Sequence, residues 1–111
     1  MKSAKKLNNT QLPKISVAKM EGACQEVSDL LRALSHPQRL LIMGHLTQGP
    51  KTVTELTGLC AVSQSQLSQF LGRMKAEGLV SSERQGKYQY YAVADKRLVQ
   101  LMAVIQNIFC C

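Results

Sequence analysis

Apolar residues at Met20, Cys24, Val27, Leu30, Leu31 and Leu34 recur at three- and four-residue intervals, with Glu26, Asp29 and Arg32 between them. That is the spacing of a helix with one buried face. Ser35-His36-Pro37-Gln38 interrupts it, because the residue before a proline is pushed out of the helical region while proline itself suits a first turn. Ser35 with Gln38 can form a capping box for a second helix running to about Leu46. Gly49-Pro50 breaks the chain again, and Thr52-Val53-Thr54-Glu55 opens a short third helix through about Leu59. Ser63-Gln64-Ser65-Gln66 repeats the capping pattern ahead of a longer helix, with Leu67, Phe70, Leu71 and Met74 on its apolar stripe and Gly78 at its end.

Beyond Gly78 the period changes. Leu79 to Arg84 and Lys87 to Val93 are β-rich segments joined by Gln85-Gly86, which reads as a tight hairpin with glycine supplying positive φ. From Asp95 onward Leu98, Leu101, Met102, Ile105, Ile108 and Phe109 form a helical stripe, which Val99, Ala103 and Val104 widen almost around the cylinder. Such a helix needs cover on more than one side, and the same helix from a second subunit can provide it. Helices followed by a hairpin are the order of a winged helix. The pattern therefore predicts a mainly α fold with a β-hairpin wing: a helix-turn-helix at about 52–77, the wing at about 79–93 and a dimerisation helix at about 95–109, in a homodimer.

Composition narrows the function. The 111 residues, 45% of them hydrophobic and 19% charged, suit one small domain, and three Tyr, two Phe and no Trp leave its core modest. The longest apolar runs are a few residues, far short of the roughly 20 that cross a bilayer, and no secretory signal is visible. The expectation is a cytoplasmic protein with no membrane partner. Fourteen Lys and Arg against seven Asp and Glu give a net charge of +7, which favours a polyanionic partner. Lys2, Lys5, Lys6, Lys14 and Lys19 all precede the first acid, Glu21, so residues 1–18 read as a basic tail and 19–111 as the folded domain.

With its apolar stripe facing the core, the longer helix of the pair exposes Ser65, Gln66, Ser68, Gln69 and Arg73, none of them acidic. Gln can grip adenine through two hydrogen bonds, and Ser63 with the free amides at the helix start suits a phosphate. Arg84 and Lys87 at the hairpin tip complete a set directed at double-stranded DNA.

The set Leu34-Ser35-His36-Pro37-Gln38-Arg39-Leu40, Thr54-Glu55-Leu56, Ser63 to Leu71 and Glu77-Gly78-Leu79-Val80 resembles the ArsR/SmtB winged-helix repressors of bacteria, over about Ala23 to Cys111. Phe70 stands where members commonly carry His, and its place on the apolar stripe predicts packing. The resemblance implies a homodimer that binds operator DNA and releases it when an inducer is sensed. The thiolate metal site of one branch would need Cys at Thr52 and Thr54. The site of another would need Asp, His and Glu along the last helix, where Asp95 to Cys111 has no His and one carboxylate. Neither metal site is present, and no cofactor is expected.

Ile108-Phe109-Cys110 resembles the end of the sulfide- and persulfide-responsive, redox-sensing branch, whose partner thiol lies at the position of Gly44. Glycine supplies no sulfur. Cys110 is thus the expected sensor, with Cys24 as its partner and Cys60 and Cys111 as alternatives. His36 and His45 are read as polar helix residues. Leu98, Leu101, Met102, Ile105 and Phe109 are expected to hold the dimer. The reading is a repressor, not an enzyme, released from DNA by a small reactive sulfur species or oxidant. Its rivals are a thiolate sensor of arsenite or heavy metals, a DNA-binding protein with no thiol switch, and a thiol-transfer enzyme.

Overall fold

The computed structural model describes residues 13–110. In chain order its elements are α1 Val17–Glu21, α2 Cys24–Leu34, α3 Pro37–Leu46, β1 Lys51–Thr52, α4 Val53–Leu59, α5 Gln64–Ala76, β2 Val80–Gln85, β3 Tyr88–Val93 and α6 Lys96–Phe109. The strands form one antiparallel sheet in the order β1-β3-β2. Among the described residues no helix is long and apolar enough to cross a membrane.

Short helices need their end groups satisfied, and here side chains written into the sequence do it. Thr52 Oγ accepts from the Glu55 amide at 3.1 Å while Glu55 Oε1 accepts from the Thr52 amide at 3.1 Å, a complete capping box. Ser63 Oγ accepts from the Gln66 amide and Asp95 Oδ1 from the Arg97 amide. At α3 the cap differs from the expected one. His36, not Ser35, is the N-cap, its Nδ1 accepting from the Gln38 amide at 3.1 Å. Pro37 explains this, because it forces the residue before it into extended backbone, and an N-cap needs that conformation. Ser35 instead closes α2.

Three further differences separate the structure from the expectation. The expected first helix is two, broken at Gly22-Ala23, and α1 has no buried residue. Its start at Val17 also puts the last two residues of the expected tail into a helix; residues 1–12 lie outside the described part. The wing turn is Gly86-Lys87, since Gln85 pairs with Tyr88. Gly86 takes φ 64° in the first turn position, as a two-residue hairpin of the primed type requires. Finally, β1 pairs Lys51 with Tyr91 and Thr52 with Tyr90, adding a third strand. Two residues are too short to show an alternating pattern.

The core lies where α3, α4, α5 and α6 converge. Ile42, Met43, Leu56, Leu67, Leu71, Met74 and Leu98 are fully buried, and Leu79 and Val80 bring the base of the wing into the same cluster. Phe70 packs against it half-buried, its ring 4.9 Å from that of His36 and 5.7 Å from the Arg39 guanidinium carbon. The expected packing role of Phe70 is what the geometry shows.

Two consequences of the α4 cap can be measured. Thr52→Ala removes the hydroxyl acceptor and should lower the urea-unfolding free energy at neutral pH by about 1 kcal/mol. The backbone and side-chain hydrogen bonds from Thr52 also hold the Glu55 carboxyl below its ordinary value. A carboxylate held low stabilises the fold above its unfolded value, about 4.3, and loses that contribution as pH falls through the folded one. Glu55→Gln should therefore flatten the decline of Tm below that pH.

Candidate nucleic-acid interface

The helix-turn-helix consists of α4, the turn through Cys60 to Ser63, and α5. Leu67, Leu71 and Met74 anchor α5 in the core, so Ser65, Gln66, Ser68 and Gln69 stand exposed on its other side. Ser63 is exposed at the N-cap, its Oγ 3.4 Å from Ser65 Oγ. Beyond the sheet, Arg84 Nε donates to the Gly86 carbonyl at 3.2 Å and Lys87 Nζ lies 5.6 Å from the Tyr88 ring centroid, both residues exposed at the wing tip. Helix and wing are tied together: Lys75 Nζ donates to Ser82 Oγ at 2.6 Å, and Gln89 Nε2 donates to the same oxygen at 2.9 Å. The sequence reading missed this tie, because β2 register alone decides which hydroxyl meets Lys75.

Arg73 stands apart from that set. Its Nε pairs with Glu77 Oε1 at 3.1 Å, and it lines a cleft of about 580 Å³ together with Glu26, Asp29, Arg32, Asp95 and Arg97. Arg97 crosses this cleft, bonding both Asp95 at 2.7 Å and Glu26 at 2.8 Å, and so joins the starts of α6 and α2. The Arg97 side chain and amide hold the Asp95 carboxyl below its ordinary value.

The residues expected at a dimer face divide in two. Leu98 is fully buried inside the protomer, so it belongs to the core and has no surface to offer a partner. Leu101 and Met102 pack against that core half-buried, and Ile105 is half-buried. Phe109 is 77% exposed, Ile108 63% and Val104 51%, and on α2 Val27 and Leu31 are exposed as well.

The thiols occupy three environments. Cys60 is buried at the end of α4, and burial pushes its thiol up from the ordinary value. Cys24 and Cys110 are exposed, and neither is in a disulfide; Cys111 lies outside the described residues. Cys110 lines a cleft of about 630 Å³ between α3 and α6, with Gly44, Leu41, His45 and Met102 among its walls. A Cβ at Gly44 would sit 3.9 Å from Met102 Cε, an ordinary contact. The structure does not bring Cys24 to this cleft. Glu26, two residues beyond Cys24, pairs with Arg97 at the opposite end of α6, and about 18 Å of helix separates Arg97 from Phe109. Among the described residues no group of three or more His, Cys, Asp and Glu could hold a metal ion.

Four matches to known proteins bear on this site. The sequence profile of bacterial regulatory proteins of the arsR family matches residues 36–82. The transcriptional regulator YgaV of Escherichia coli is 35% identical over 95 residues, covering 85% of this chain and 96% of that protein. The crystal structure of the transcriptional repressor BigR from Xylella fastidiosa superposes with a TM-score of 0.83 at 34% identity, over 87% of this chain and 99% of that one. A homodimeric winged helix-turn-helix DNA-binding domain from Mycobacterium bovis, a possible ArsR-family transcriptional regulator, superposes with a TM-score of 0.70 at 29% identity, over 80% and 83% of the two chains.

The thiol environments have a direct chemical readout. Brief treatment of the native protein with iodoacetamide, followed by mass spectrometry of its peptides, should alkylate Cys24 and Cys110 and leave Cys60 at least about tenfold slower until the fold is melted. Equal rates at Cys60 would contradict its burial.

Proposed function

This chain belongs to the arsR family of bacterial regulatory proteins, and on that premise we propose that it is a homodimeric winged-helix repressor. It binds two-fold operator DNA and leaves it when Cys110 reacts with a sulfane sulfur species or an oxidant. The observation that carries the DNA reading is the exposed, acid-free surface of Ser63, Ser65, Gln66, Ser68 and Gln69 on a helix anchored from behind and tied to a wing bearing Arg84 and Lys87. Gln66 and Gln69 read base edges, the Ser63 hydroxyl and the first amides of α5 meet phosphate, and the wing cations meet backbone or minor groove. A partner of this kind places the work in the cytoplasm, and the role is that of a regulator, not an enzyme.

Dimerisation is supported by α6, whose 14 residues include one, Leu98, that is fully buried by its own protomer. Val104, Ile108 and Phe109 with Val27 and Leu31 are the face left for a partner. Two recognition helices held this way enter successive major grooves about 34 Å apart.

The thiol response rests on the exposure of Cys110 and on the cleft it shares with Gly44. Cys60 is a poor nucleophile, because burial disfavours its thiolate. Cys24 remains the proposed partner, through a link between protomers, since within one protomer it lies toward the other end of α6.

Operator affinity tests the reading. Gln69→Ala should change base preference, while Lys87→Ala should weaken all sequences alike and lower the salt slope by about one unit. If neither substitution alters binding, the docking face is wrong. Val104→Glu should leave a folded monomer and reduce operator affinity more than about tenfold, whereas Leu98→Glu should unfold the protomer. Sedimentation and circular dichroism separate the two outcomes. For the switch, a persulfide donor should release wild-type protein and fail to release Cys110→Ser. A disulfide that runs at monomer size on a non-reducing gel would reject the link between protomers.

A further inference from the structure

The two cations of the recognition helix are not equivalent. Residues seven apart share a flank of a helix, so Lys75 lies with Ser68 on one side of α5, and Arg73 lies with Gln66 on the other. Arg73 is neutralised by Glu77 and turned into the cleft against α2 and α6. Lys75 is held by neutral groups. Its Nζ donates one hydrogen to Ser82 Oγ at 2.6 Å, and among the described residues it has no carboxylate within ion-pair distance. An ammonium has three hydrogens, so two remain to be offered from the junction of helix and wing. Between the flanks sits Gly72, exposed and in the interior of a 13-residue helix, where glycine weakens the helix relative to alanine. Packing does not account for it, because a methyl group added there would meet no atom within 4 Å. A helix that gives up stability at an uncrowded surface position leaves room for something that approaches from outside.

Resting on the DNA-binding reading above, we propose that Lys75 is the recognition-helix cation that contacts the DNA backbone, in the corner between α5 and the wing. The open surface at Gly72 admits the strand, and Arg73 takes no part. Ser82 and Gln89 are positioning residues: their shared hydrogen bond aims the ammonium and sets the angle of the wing. A phosphate lodged there would bond to Lys75 without breaking any ion pair. At Arg73 it would have to displace Glu77.

The test is the salt dependence of binding to a short fluorescein-labelled duplex of random sequence, since a phosphate contact is independent of sequence. Lys75→Met should lower the slope of log K against log salt by about one unit for each protomer engaged, and Lys75→Arg should restore it. Arg73→Gln should keep the wild-type slope. Ser82→Ala removes the tie and keeps the charge, so it should weaken binding at every salt concentration while keeping the slope, which separates a phosphate contact from a merely structural role of Lys75. Gly72→Ala should raise Tm by about 4 °C and weaken binding about tenfold, opposite directions that packing alone does not produce. A wild-type slope for Lys75→Met, or a reduced slope for Arg73→Gln, overturns the assignment. Unchanged affinity for Gly72→Ala overturns the close approach. Wild-type protein that shows no salt-dependent binding to any duplex overturns instead the DNA-binding reading on which the proposal stands.

Discussion

The burial of Leu67, Leu71 and Met74 against Ile42, Met43, Leu56 and Leu98 is the constraint from which the rest of the molecule follows. These three side chains, with half-buried Phe70 beside them, occupy one stripe of α5, so the positions on its opposite side are released from packing. A wider stripe would have consumed Ser68 or Gln66, which flank it. Fully burying a Leu or Met is worth roughly 1.5–3 kcal/mol relative to leaving it exposed, enough to fix the roll of the helix within a marginally stable domain. The polar face is therefore a rigid surface, presented by a core that stands directly behind it.

Electrostatics then sort the surface that packing has left. Acids and cations meet in the cleft lined by Glu26, Asp29, Glu77 and Asp95 with Arg32, Arg73 and Arg97, where the ion pairs lie. All of these pairs are open to solvent at least on one side, so each adds little to stability. Their effect is on distribution: the cations in the cleft are neutralised, while Lys75, Arg84 and Lys87 are held by neutral partners or a ring face. Net charge alone would not have distinguished the two groups.

How much was legible in the sequence depended on how local each signal was. The Thr52 and Ser63 caps, the α5 stripe and the presence of a hairpin at Gly86 involve residues within a few positions of one another and could be read from spacing, although the turn itself lies one residue later than expected, at Gly86-Lys87. The His36 cap was misjudged because two rules compete at Ser35-His36-Pro37 and the effect of proline on its predecessor wins. β1 and the Lys75–Ser82 bond depend on pairing between distant segments, which spacing does not encode. The role of Leu98 failed for a related reason. A helix apolar around its cylinder announces two covers, yet the pattern does not say which residues face which, and the protomer's own core claimed Leu98 first.

That division of α6 bears on how a thiol at its end could reach the DNA face. Cys110 shares a cleft with Gly44 on α3, and the other end of α3 carries His36 and Arg39, whose ring and guanidinium meet Phe70 on α5. One short helix thus walls the cleft that Cys110 lines and, at its start, meets the recognition helix. Proximity alone is no mechanism; release requires an element with two arrangements that the thiol chemistry biases. A hundredfold loss of operator affinity needs about 2.7 kcal/mol of such bias. The exposed part of α6, with Phe109 next to Cys110, is the natural place for it on the proposed dimer. On that dimer its exposed apolar side chains would be covered by the partner, so a small shift at Cys110 would change the spacing of two recognition helices without disturbing the core behind either one.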